Sequence, residues 1–465
     1  MASARRSLLS ARIHIQRAGA GVRHSHHATS PQRRDRQVSP KTGGGKAKRP
    51  VPIWLGTGLI AGAADDDPSA IGTYASVGAR YGLSALWIAP LLLPMMYVVM
   101  YVSGKLGRVY GKGLFGALVD RFPRETVYPL AFLAVAGNLI EAAANLGGIG
   151  AAVALLVPMP PWSIVLVVAT AITAVQIVGS YALLRRLFRW LTLALFAYIG
   201  AAVLARPDPI EVLRGTFIPT GVADLGFVAM LVACVGTSLS AYIYTWQSNQ
   251  QVEERVENGA RTPEGGRHVQ PADLQRVRRD ALAGVAYSNI ILYFIIMATG
   301  ATLHAAGRHD IDSAAQAASA LEPVAGPAAR WLFALGIVGV GFLAFPVMTT
   351  GAAYDIVQVL RAPGSLHRSP IQAPLFYSCI VLATLAAVLL NLLGFNPMRA
   401  LVWSGIVQGL SVPPLLVMMM IMTGDRQMMG AHANSLTTRI LGWGTAAVTG
   451  LLALGLAVFW IMSRR

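Results

Sequence analysis

Apolar stretches of about 20 residues recur along this chain from Val51 to Met462, separated by short polar segments rich in glycine and proline. A stretch of that length can cross the hydrocarbon core of a bilayer as an α-helix. Inside a bilayer each backbone N–H and C=O group must be paired within the protein, which favours helices. Only 13% of the residues are charged, against about 25% in soluble proteins. The sequence therefore predicts an all-α integral membrane protein and fits a soluble, fibrous or disordered chain poorly.

Dividing the chain at its polar breaks gives eleven candidate membrane spans. They cover residues 52–78, 84–104, 127–157, 162–183, 187–205, 224–247, 281–303, 329–352, 373–394, 398–422 and 437–462. With a cytoplasmic N-terminus, 30 of the 38 Lys and Arg residues fall on the cytoplasmic side, as the positive-inside rule requires. We therefore expect one multi-pass domain over residues 51–465 in the cytoplasmic (inner) membrane, with the C-terminus outside.

The first 50 residues differ from the rest because they hold 12 Lys and Arg residues and one acid, Asp35. A net charge of +17 would raise the possibility of nucleic-acid binding in a soluble protein, but here +11 of it lies in this tail. We expect no nucleic-acid partner. Residues 1–50 are predicted to be a disordered basic cytoplasmic tail that is attracted to anionic lipid headgroups of the bilayer. An organelle transit peptide is the alternative interpretation.

Two of the spans carry polar interruptions. The first span places three aspartates, residues 65–67, before Pro68, and the proline should break the helix because it removes a backbone donor and disfavours helical geometry at the preceding residue. The sixth span is interrupted by the polar, hydroxyl-rich run Cys234–Gln247. Broken backbone at membrane depth is tolerated only where it lines a cavity or is buried in protein.

The two interruptions lie five spans apart, which predicts an inverted repeat of spans 1–5 and 6–10 with the eleventh span appended. This is the layout of LeuT-type transporters, whose substrate site lies at the membrane midplane between two broken helices. The repeat is inferred from the spacing of the breaks, because the sequence does not show it by internal identity.

The three aspartates of the first span are the first candidate cation ligands. A carboxylate near the centre of a bilayer costs at least about 2.5–3.5 kcal/mol on insertion scales, so it is expected to be functional. Successive residues cannot all face one site, and Asp67, next to the proline, is the predicted direct ligand. Asp65 and Asp66 are predicted to hold water molecules or to line the approach. The alternative is that the first span begins after Pro68, which would leave the three acids in a loop.

Three motifs resemble those of a known family. Asp67-Pro68-Ser69-Ala70, followed by Tyr81-Gly82 and Trp87, resembles the first-span Asp-Pro-Gly-Asn motif of the natural-resistance-associated macrophage protein (Nramp) family of divalent metal transporters. Residues 236–248 stand where that family has its sixth-span motif, and residues 401–413 are similar to its tenth span. The resemblance covers most of the chain beyond the tail and implies divalent-cation transport.

The resemblance also implies a set of metal ligands. In the family an Asp and an Asn of the first span, a Met sulfur of the sixth span and a nearby backbone carbonyl bind a dehydrated transition metal. The corresponding residues here are Asp67, Ala70, Ser240 and, for the carbonyl, Thr237. Thioether ligands favour softer ions, whereas carboxylate, hydroxyl, carbonyl and water ligands suit hard ions such as Mg²⁺, which also releases its water reluctantly. The pattern is similar to the Nramp-related magnesium transporter branch.

Proton coupling would need a proton acceptor along the ion path. The family's third span carries a Glu and, seven residues later, an Asp, and the matching residues here are Asn138 and Asn145; its sixth-span histidines correspond to Tyr242 and Gln247. Amide and phenol groups cannot relay a proton near neutral pH. Glu141 is the one acid left in the third span. It could line the ion path, replace the missing acceptor, or be a neutral structural carboxyl group.

We therefore expect a permease that imports Mg²⁺, with Mn²⁺ as a second candidate ion, by alternating access and without obligatory proton coupling. A proton-coupled Mn²⁺ or Fe²⁺ symporter and a LeuT-type transporter of an organic cation or amino acid are the alternatives. No cofactor is expected, because the metal ion is the substrate and Cys234 and Cys379 lie far apart. The chain offers no motif of a catalytic nucleophile with its base, so we do not expect an enzyme. The sequence leaves the roles of Glu253, Glu254 and Asp355 open.

Overall fold

The computed structural model describes residues 61–62, 64–178, 196–220, 225–257, 269–312, 314–322, 326–394 and 396–462. These residues form helices joined by turns. The predicted basic tail of residues 1–50 lies outside the described residues, and so do the beginnings of the predicted first and fifth spans.

The helices are numbered here in chain order. They are α1 (Pro68–Tyr81), α2 (Ile88–Tyr110), α3 (Leu114–Arg121), α4 (Arg124–Ala154), α5 (Pro161–Val178), α6 (Phe196–Leu204), α7 (Pro209–Phe217), α8 (Leu225–Ser238), α9 (Ala241–Glu257), α10 (Pro271–Thr299), α11 (Ala314–Ser319), α12 (Ala329–Val359), α13 (Pro374–Leu392), α14 (Pro397–Gly424), α15 (Arg426–Met429) and α16 (Leu436–Met462). A π-helical turn, Gly300–His304, extends α10. Short 3₁₀ turns cover Gly82–Ala85, Gly326–Ala328 and Gly430–His432.

Eight spans among the described residues are long and apolar enough to cross a membrane. They are formed by α2, α4, α8 together with α9, α10, α12, α13, α14 and α16. The predicted first, fourth and fifth spans do not reach this length within the described residues. α5 is apolar but shorter, and α1 has only 14 residues because the first span is broken before it.

The first break lies where the Asp-Pro pair predicts it. Ala64 and Asp65 are helical, Asp66 and Asp67 are not, and α1 then begins at Pro68. Asp67 has an extended backbone (φ −67°, ψ 172°) and caps α1 by accepting the N–H of Ala70 with its side chain. Proline suits the first helical position because an N–H there would have no partner within the helix. The prediction of a broken first helix is confirmed.

The second break separates α8, which ends at Ser238, from α9, which begins at Ala241. A Cβ atom on Gly236 would overlap the carbonyl oxygen of Gly405 in α14, so only glycine allows this approach of the two helices. Ser240 within the break is 0% exposed. Both breaks are therefore enclosed by protein, as irregular backbone at membrane depth requires.

Four helices extend well beyond the spans that hydropathy predicts, and one of them, α10, does so at its start, which lies 10 residues before the predicted residue 281. α2, α9 and α12 continue 6, 10 and 7 residues beyond the predicted span ends. Polar side chains end the apolar pattern there, but they pair with one another and allow the helices to continue: Arg108 lies 2.8 Å from Asp273 and 3.6 Å from Glu254. α3 likewise occupies a segment that the sequence assigns to a loop.

The packing of the helices brings both breaks to one place. α4 packs against α12 and α14, α1 against α10 and α14, and α9 against α2 and α12. α8 packs along α14 and also contacts α1. The N-terminus of α1 and the junction of α8 with α9 therefore meet beside the middle of α4.

Candidate metal centre

Polar side chains from four parts of the chain meet where the two broken helices approach each other. They are Asp67 at the start of α1, Asn145 and Glu141 on α4, Ser240 between α8 and α9, and Gln408 on α14. Each of the five is 0% exposed. Buried polar groups in a membrane protein are retained only where they find partners, and these side chains are hydrogen-bonded to one another or to the backbone nearby.

Asp67 is held both by its own helix and by α4. Its Oδ1 accepts the backbone N–H of Ala70 at 2.6 Å, and its Oδ2 accepts a hydrogen bond from Nδ2 of Asn145 at 2.9 Å. The positive end of the α1 dipole also faces this carboxylate and stabilises its charge. Each carboxylate oxygen has two lone-pair sites, so both oxygens can still bind a cation.

Asn145 ties the Asp67 segment to α4. Its Oδ1 accepts the N–H of Ser69 at 3.0 Å, while its Nδ2 donates to Asp67 and lies 3.0 Å from Sδ of Met348 on α12. An ionised aspartate at this position could accept from Ser69 but could not donate to Asp67. The amide, which can do both, therefore suits this position.

The Ser240 hydroxyl lies against a second carboxyl group. Its Oγ is 3.2 Å from Oε1 of Glu141, 3.0 Å from the carbonyl oxygen of Thr237 and 2.9 Å from that of Gly236. One hydroxyl hydrogen can serve only one of these acceptors at a time. The Thr237 carbonyl and the Ser240 hydroxyl, both predicted ligands, thus lie side by side.

Glu141 lies one helical turn from Asn145, about 6 Å along α4. Its Oε2 accepts from Nε2 of Gln408 at 2.7 Å, and the same nitrogen lies 3.3 Å from Oδ1 of Asn138. Because Asp67 is hydrogen-bonded to Asn145, one turn from Glu141, the two acids share one buried region and their charges oppose each other when both are ionised. Within the described part of the chain, no basic side chain forms an ion pair with either acid.

Asp65 and Asp66 face a different helix. Oδ2 of Asp65 and Oδ1 of Asp66 each lie 2.9 Å from the hydroxyl oxygen of Ser288 on α10. Their other carboxylate oxygens have no hydrogen-bond partner among the described residues. The three successive aspartates therefore diverge, with Asp67 directed to α4 and the other two to α10.

The remaining predicted site residues divide between the centre and its surroundings. Ala70 offers only its backbone N–H, because a methyl group cannot be a ligand. Tyr242 donates its hydroxyl to the carbonyl oxygen of Ala64 at 3.1 Å and so joins α9 to the segment before the first break. Gln247 packs against α2, where a Cβ on Gly104 would lie 3.1 Å from its Nε2. The structure thus places Gln247 away from the centre with which the sequence grouped it.

Several side chains at the centre were not predicted from the sequence. Gln408 and Ser404, whose Oγ lies 2.8 Å from that of Ser69, belong to the tenth-span motif, and their polarity within an apolar span was the available signal. Ser288 on α10 gave a similar but weaker signal. Met348 gave none, because a methionine in an apolar span resembles any core residue.

The two ends of the bundle differ around this centre. A cavity of about 350 Å³ lies near the C-terminal end of α1 and is lined by Ser76, Arg80 and Trp403 among others. At the opposite end, Glu253 accepts hydrogen bonds from Tyr354 at 2.7 Å and from Ser365 at 2.8 Å. These bonds tie the end of α9 to α12 and to the segment that follows it.

The donor chemistry of the centre is that of oxygen. Within the described ranges, His, Cys, Asp and Glu do not gather in a group of three or more that could hold a metal ion. A cation bound by Asp67 and Glu141 would need hydroxyl, amide or backbone carbonyl oxygens, or its own water molecules, to complete its shell. Met348 is the one sulfur that contacts the centre among the residues described.

Comparison with known protein families and relatives gives consistent matches. The family described as "Natural resistance-associated macrophage protein-like" matches residues 58–459. The chain is 28% identical over 425 residues to the divalent metal cation transporter MntH of Deinococcus radiodurans, across 90% of this chain and 92% of that relative. It is 26% identical over 422 residues to the protein of the same name from Chromohalobacter salexigens, across 88% and 91%.

Solved structures share the fold. The Eremococcus coleocola manganese transporter, crystallised with an aromatic bis-isothiourea substituted compound, has a TM-score of 0.64 at 16% identity, covering 86% of this chain and 85% of its own. Mhp1, a nucleobase-cation-symport-1 family transporter, has a TM-score of 0.56 at 14% identity, covering 87% and 89%. The matches confirm the all-α, LeuT-type fold that the spacing of the two breaks predicts.

Replacing Asn145 by leucine tests whether this amide holds the Asp67 segment. Asn145→Leu leaves the Ser69 N–H and one Asp67 oxygen buried without this partner, so the free energy of unfolding should fall by about 2–4 kcal/mol, measured as a lower midpoint of thermal unfolding in detergent. The control is Asn391→Leu, because Asn391 donates only to the carbonyl oxygens of Ala143 (2.7 Å) and Ala387 (2.9 Å). If the midpoint of thermal unfolding of Asn145→Leu equals or exceeds that of Asn391→Leu, Asn145 does not hold the Asp67 segment.

Proposed function

This chain belongs to the Nramp family, and from that premise we propose that it imports Mg²⁺, with Mn²⁺ as a second substrate, by alternating access. Membership in the family confirms two broader expectations: the chain is a multi-pass membrane transporter, and it is not an enzyme. The proposed ion, the absence of proton coupling and the orientation in the membrane rest on this chain's own residues.

The buried pair of Asp67 and Glu141 is the observation that carries the proposal. Neutral donors hold both carboxyl groups, Asn145 for the first and Gln408 for the second. Neutral donors lower the cost of burying two negative charges but do not cancel them. A divalent cation supplies the missing charge. An amino-acid substrate is disfavoured because Asp67 already caps the N-terminus of α1, where a substrate carboxylate would bind in this fold.

The direct ligands favour a hard ion. Ala70 stands where the family's asparagine would bind metal, and Ser240 presents a hydroxyl where the family has a thioether. Carboxylate, hydroxyl and carbonyl oxygens suit Mg²⁺ or Mn²⁺, and with fewer protein ligands the ion keeps more of its water. We therefore place Asp67, Glu141, Ser240 and the Thr237 carbonyl around a partly hydrated cation, with Asp65 and Asp66 beside its approach.

A proton-coupled Mn²⁺ symporter is the second candidate. It is favoured by Met348, whose sulfur lies 3.0 Å from Nδ2 of Asn145 and reaches the centre from α12 instead of from the sixth span. The relatives from Deinococcus radiodurans and Chromohalobacter salexigens are divalent metal cation transporters. One solved structure with the same fold is that of a manganese transporter. In this candidate the Met348 thioether would bind Mn²⁺, and Glu141 would carry the proton.

We propose transport without a coupled proton because the groups around Glu141 are amides and hydroxyls. Asn138, Asn145 and Tyr242 stand beside the path and do not titrate near neutral pH. Glu141 is then an ion ligand, held by Gln408 and Ser240. The membrane potential, negative inside, would drive a divalent cation inward at about 2.3 kcal/mol per charge per 100 mV.

The proposed orientation of the chain in the membrane follows from the distribution of its positively charged residues. We propose a cytoplasmic N-terminus and an external C-terminus in the inner membrane, because this orientation places most Lys and Arg residues on the cytoplasmic side. The basic segment of residues 1–50 would then lie near anionic lipid headgroups. The cavity near the C-terminal end of α1 would open to the outside.

Replacing Asp67 should abolish cation uptake. In proteoliposomes, Asp67→Ala should lower the rate of Mn²⁺ uptake by at least about tenfold, because the ion loses a charged ligand at the centre of the membrane, while the protein still elutes as a folded species on gel filtration. Asp120→Ala is the control, because Asp120 lies outside the centre, where its carboxylate contacts Lys112 at 2.8 Å and the Tyr110 hydroxyl at 3.0 Å. Uptake by Asp67→Ala at the rate of the unmutated protein would remove the proposed site.

Competition between ions tests the choice of metal. Because the predicted direct ligands are oxygen atoms, millimolar Mg²⁺ should inhibit Mn²⁺ uptake by the unmutated protein by about half or more. Ser240→Met should weaken this inhibition by favouring Mn²⁺ or Cd²⁺. Met348→Leu should leave the inhibition by Mg²⁺ unchanged. If the protein is instead a proton-coupled Mn²⁺ symporter, Met348→Leu should weaken Mn²⁺ uptake. If millimolar Mg²⁺ does not compete, the Mg²⁺ proposal is wrong.

A pH-sensitive dye inside the vesicles tests proton coupling. Metal uptake should proceed without matching acidification of the lumen, because the described groups around Glu141 are amides and hydroxyls and Glu141 itself is proposed to bind the ion. A vesicle population without protein corrects for proton leak. Metal-dependent acidification that disappears in Glu141→Gln would establish Glu141 as a proton carrier and favour the second candidate.

A further inference from the structure

Asp355 on α12 is a buried acid that the centre around Asp67 does not use. It is 0% exposed, and neither of its carboxylate oxygens has a hydrogen-bond partner among the described residues. The adjacent Tyr354, in contrast, donates its hydroxyl to Glu253 at 2.7 Å. A buried carboxyl group without a partner is costly, especially within a membrane. We therefore expect the Asp355 carboxyl group to have a partner that the described part of the chain does not supply.

Asp355 lies on the face of α12 that continues from the centre. Met348, whose sulfur contacts Asn145, precedes it by seven residues, so the two share a face about 10 Å apart along the helix. Gly351 lies between them, and a Cβ on Gly351 would be 3.7 Å from Cβ of Tyr242 and 4.0 Å from Nδ2 of Asn138. This face of α12 therefore leads from the centre, past α4 and α9, to Asp355.

The helices that border this face carry further polar atoms without partners. Thr245, one turn after Tyr242 on α9, is 0% exposed and lies beside the Asp355 carboxyl group, and its hydroxyl has no hydrogen-bond partner among the described residues. Nδ2 of Asn138 on α4 also has no partner among the described residues, although its Oδ1 lies 3.3 Å from Gln408 at the centre. Three helices thus direct unsatisfied polar groups toward one path.

We propose that Asp355, with Thr245 and Asn138, forms a second, transient binding station for the divalent cation on its way from the centre to the cytoplasm. The inference rests on the proposed function, because the ion at this station is the transported one. A carboxylate, a hydroxyl and an amide are hard donors that suit a hydrated divalent cation. The Asn138 amide and the Thr245 hydroxyl can bond to water molecules of its shell, and the carboxylate offsets its charge.

Metal binding without transport tests the station directly. Asp67→Ala, purified in lipid nanodiscs, should retain weak Mn²⁺ binding, measured as the loss of the free Mn²⁺ signal in electron paramagnetic resonance during titration with the metal alone. The double variant Asp67→Ala, Asp355→Asn should bind about one Mn²⁺ fewer per chain. Equal binding by the two proteins would show that Asp355 is a structural carboxyl group and would overturn the station. Full uptake by Asp67→Ala would instead overturn the proposed function, which keeps the two failures distinct.

Transport kinetics provide a second readout. Asp355→Asn should lower Vmax for Mn²⁺ about tenfold with KM within about twofold, because the first site is intact and only the later step is impaired. Asp355→Glu, which keeps the charge, should recover part of the rate. The control is Asp280→Asn, because Asp280 is a buried acid of α10, 4% exposed, whose charged neighbours are Arg276, Glu254 and Arg108. A Vmax in Asp355→Asn equal to that of the control would overturn the proposal.

Discussion

The cap that Asp67 forms on α1 is the interaction on which the rest of the site depends. It ends the first half of the broken span, starts α1 at Pro68, and fixes one carboxylate at the depth of the second break. Asn145 then joins this cap to α4 through two hydrogen bonds. The cap leaves lone pairs on both carboxylate oxygens, so the arrangement that holds the structure also leaves Asp67 able to serve as the proposed cation ligand.

Neutral amides hold the two acids of the centre. Asn145 lies beside Asp67, and Gln408 lies between Glu141 and Asn138. An acid in place of either amide would add a like charge in a region of low dielectric, which would need a proton or a cation to compensate it. The balance of amides and acids thus decides how much positive charge the centre demands, and this links the hydrogen-bond network to the choice of ion.

Unpaired acids continue beyond the centre. Asp65 and Asp66 share one hydroxyl group on α10, and Asp355 has no hydrogen-bond partner among the residues described. Glu253, in contrast, is fully engaged near the end of α9. Acids that the protein does not neutralise can attract a cation along the proposed path. Glu253 is different, because its hydrogen bonds hold α9 against α12 and the segment that follows it.

The sequence by itself determined the all-α fold, the two breaks and the choice of Asp67 as candidate ligand, because chain length, apolar stretches and an Asp-Pro pair act locally through backbone hydrogen bonding. Helix ends beyond the apolar pattern were not predicted, since pairs such as Arg108 with Asp273 are remote in sequence. Tertiary structure alone decided that Met348 and Gln408 reach the centre, that Gln247 packs against α2, and that Asp355 lies on the face of α12 that continues from Met348. The physical reason is that the direction of a side chain depends on how its helix is rotated and packed, and packing joins residues that no local pattern connects.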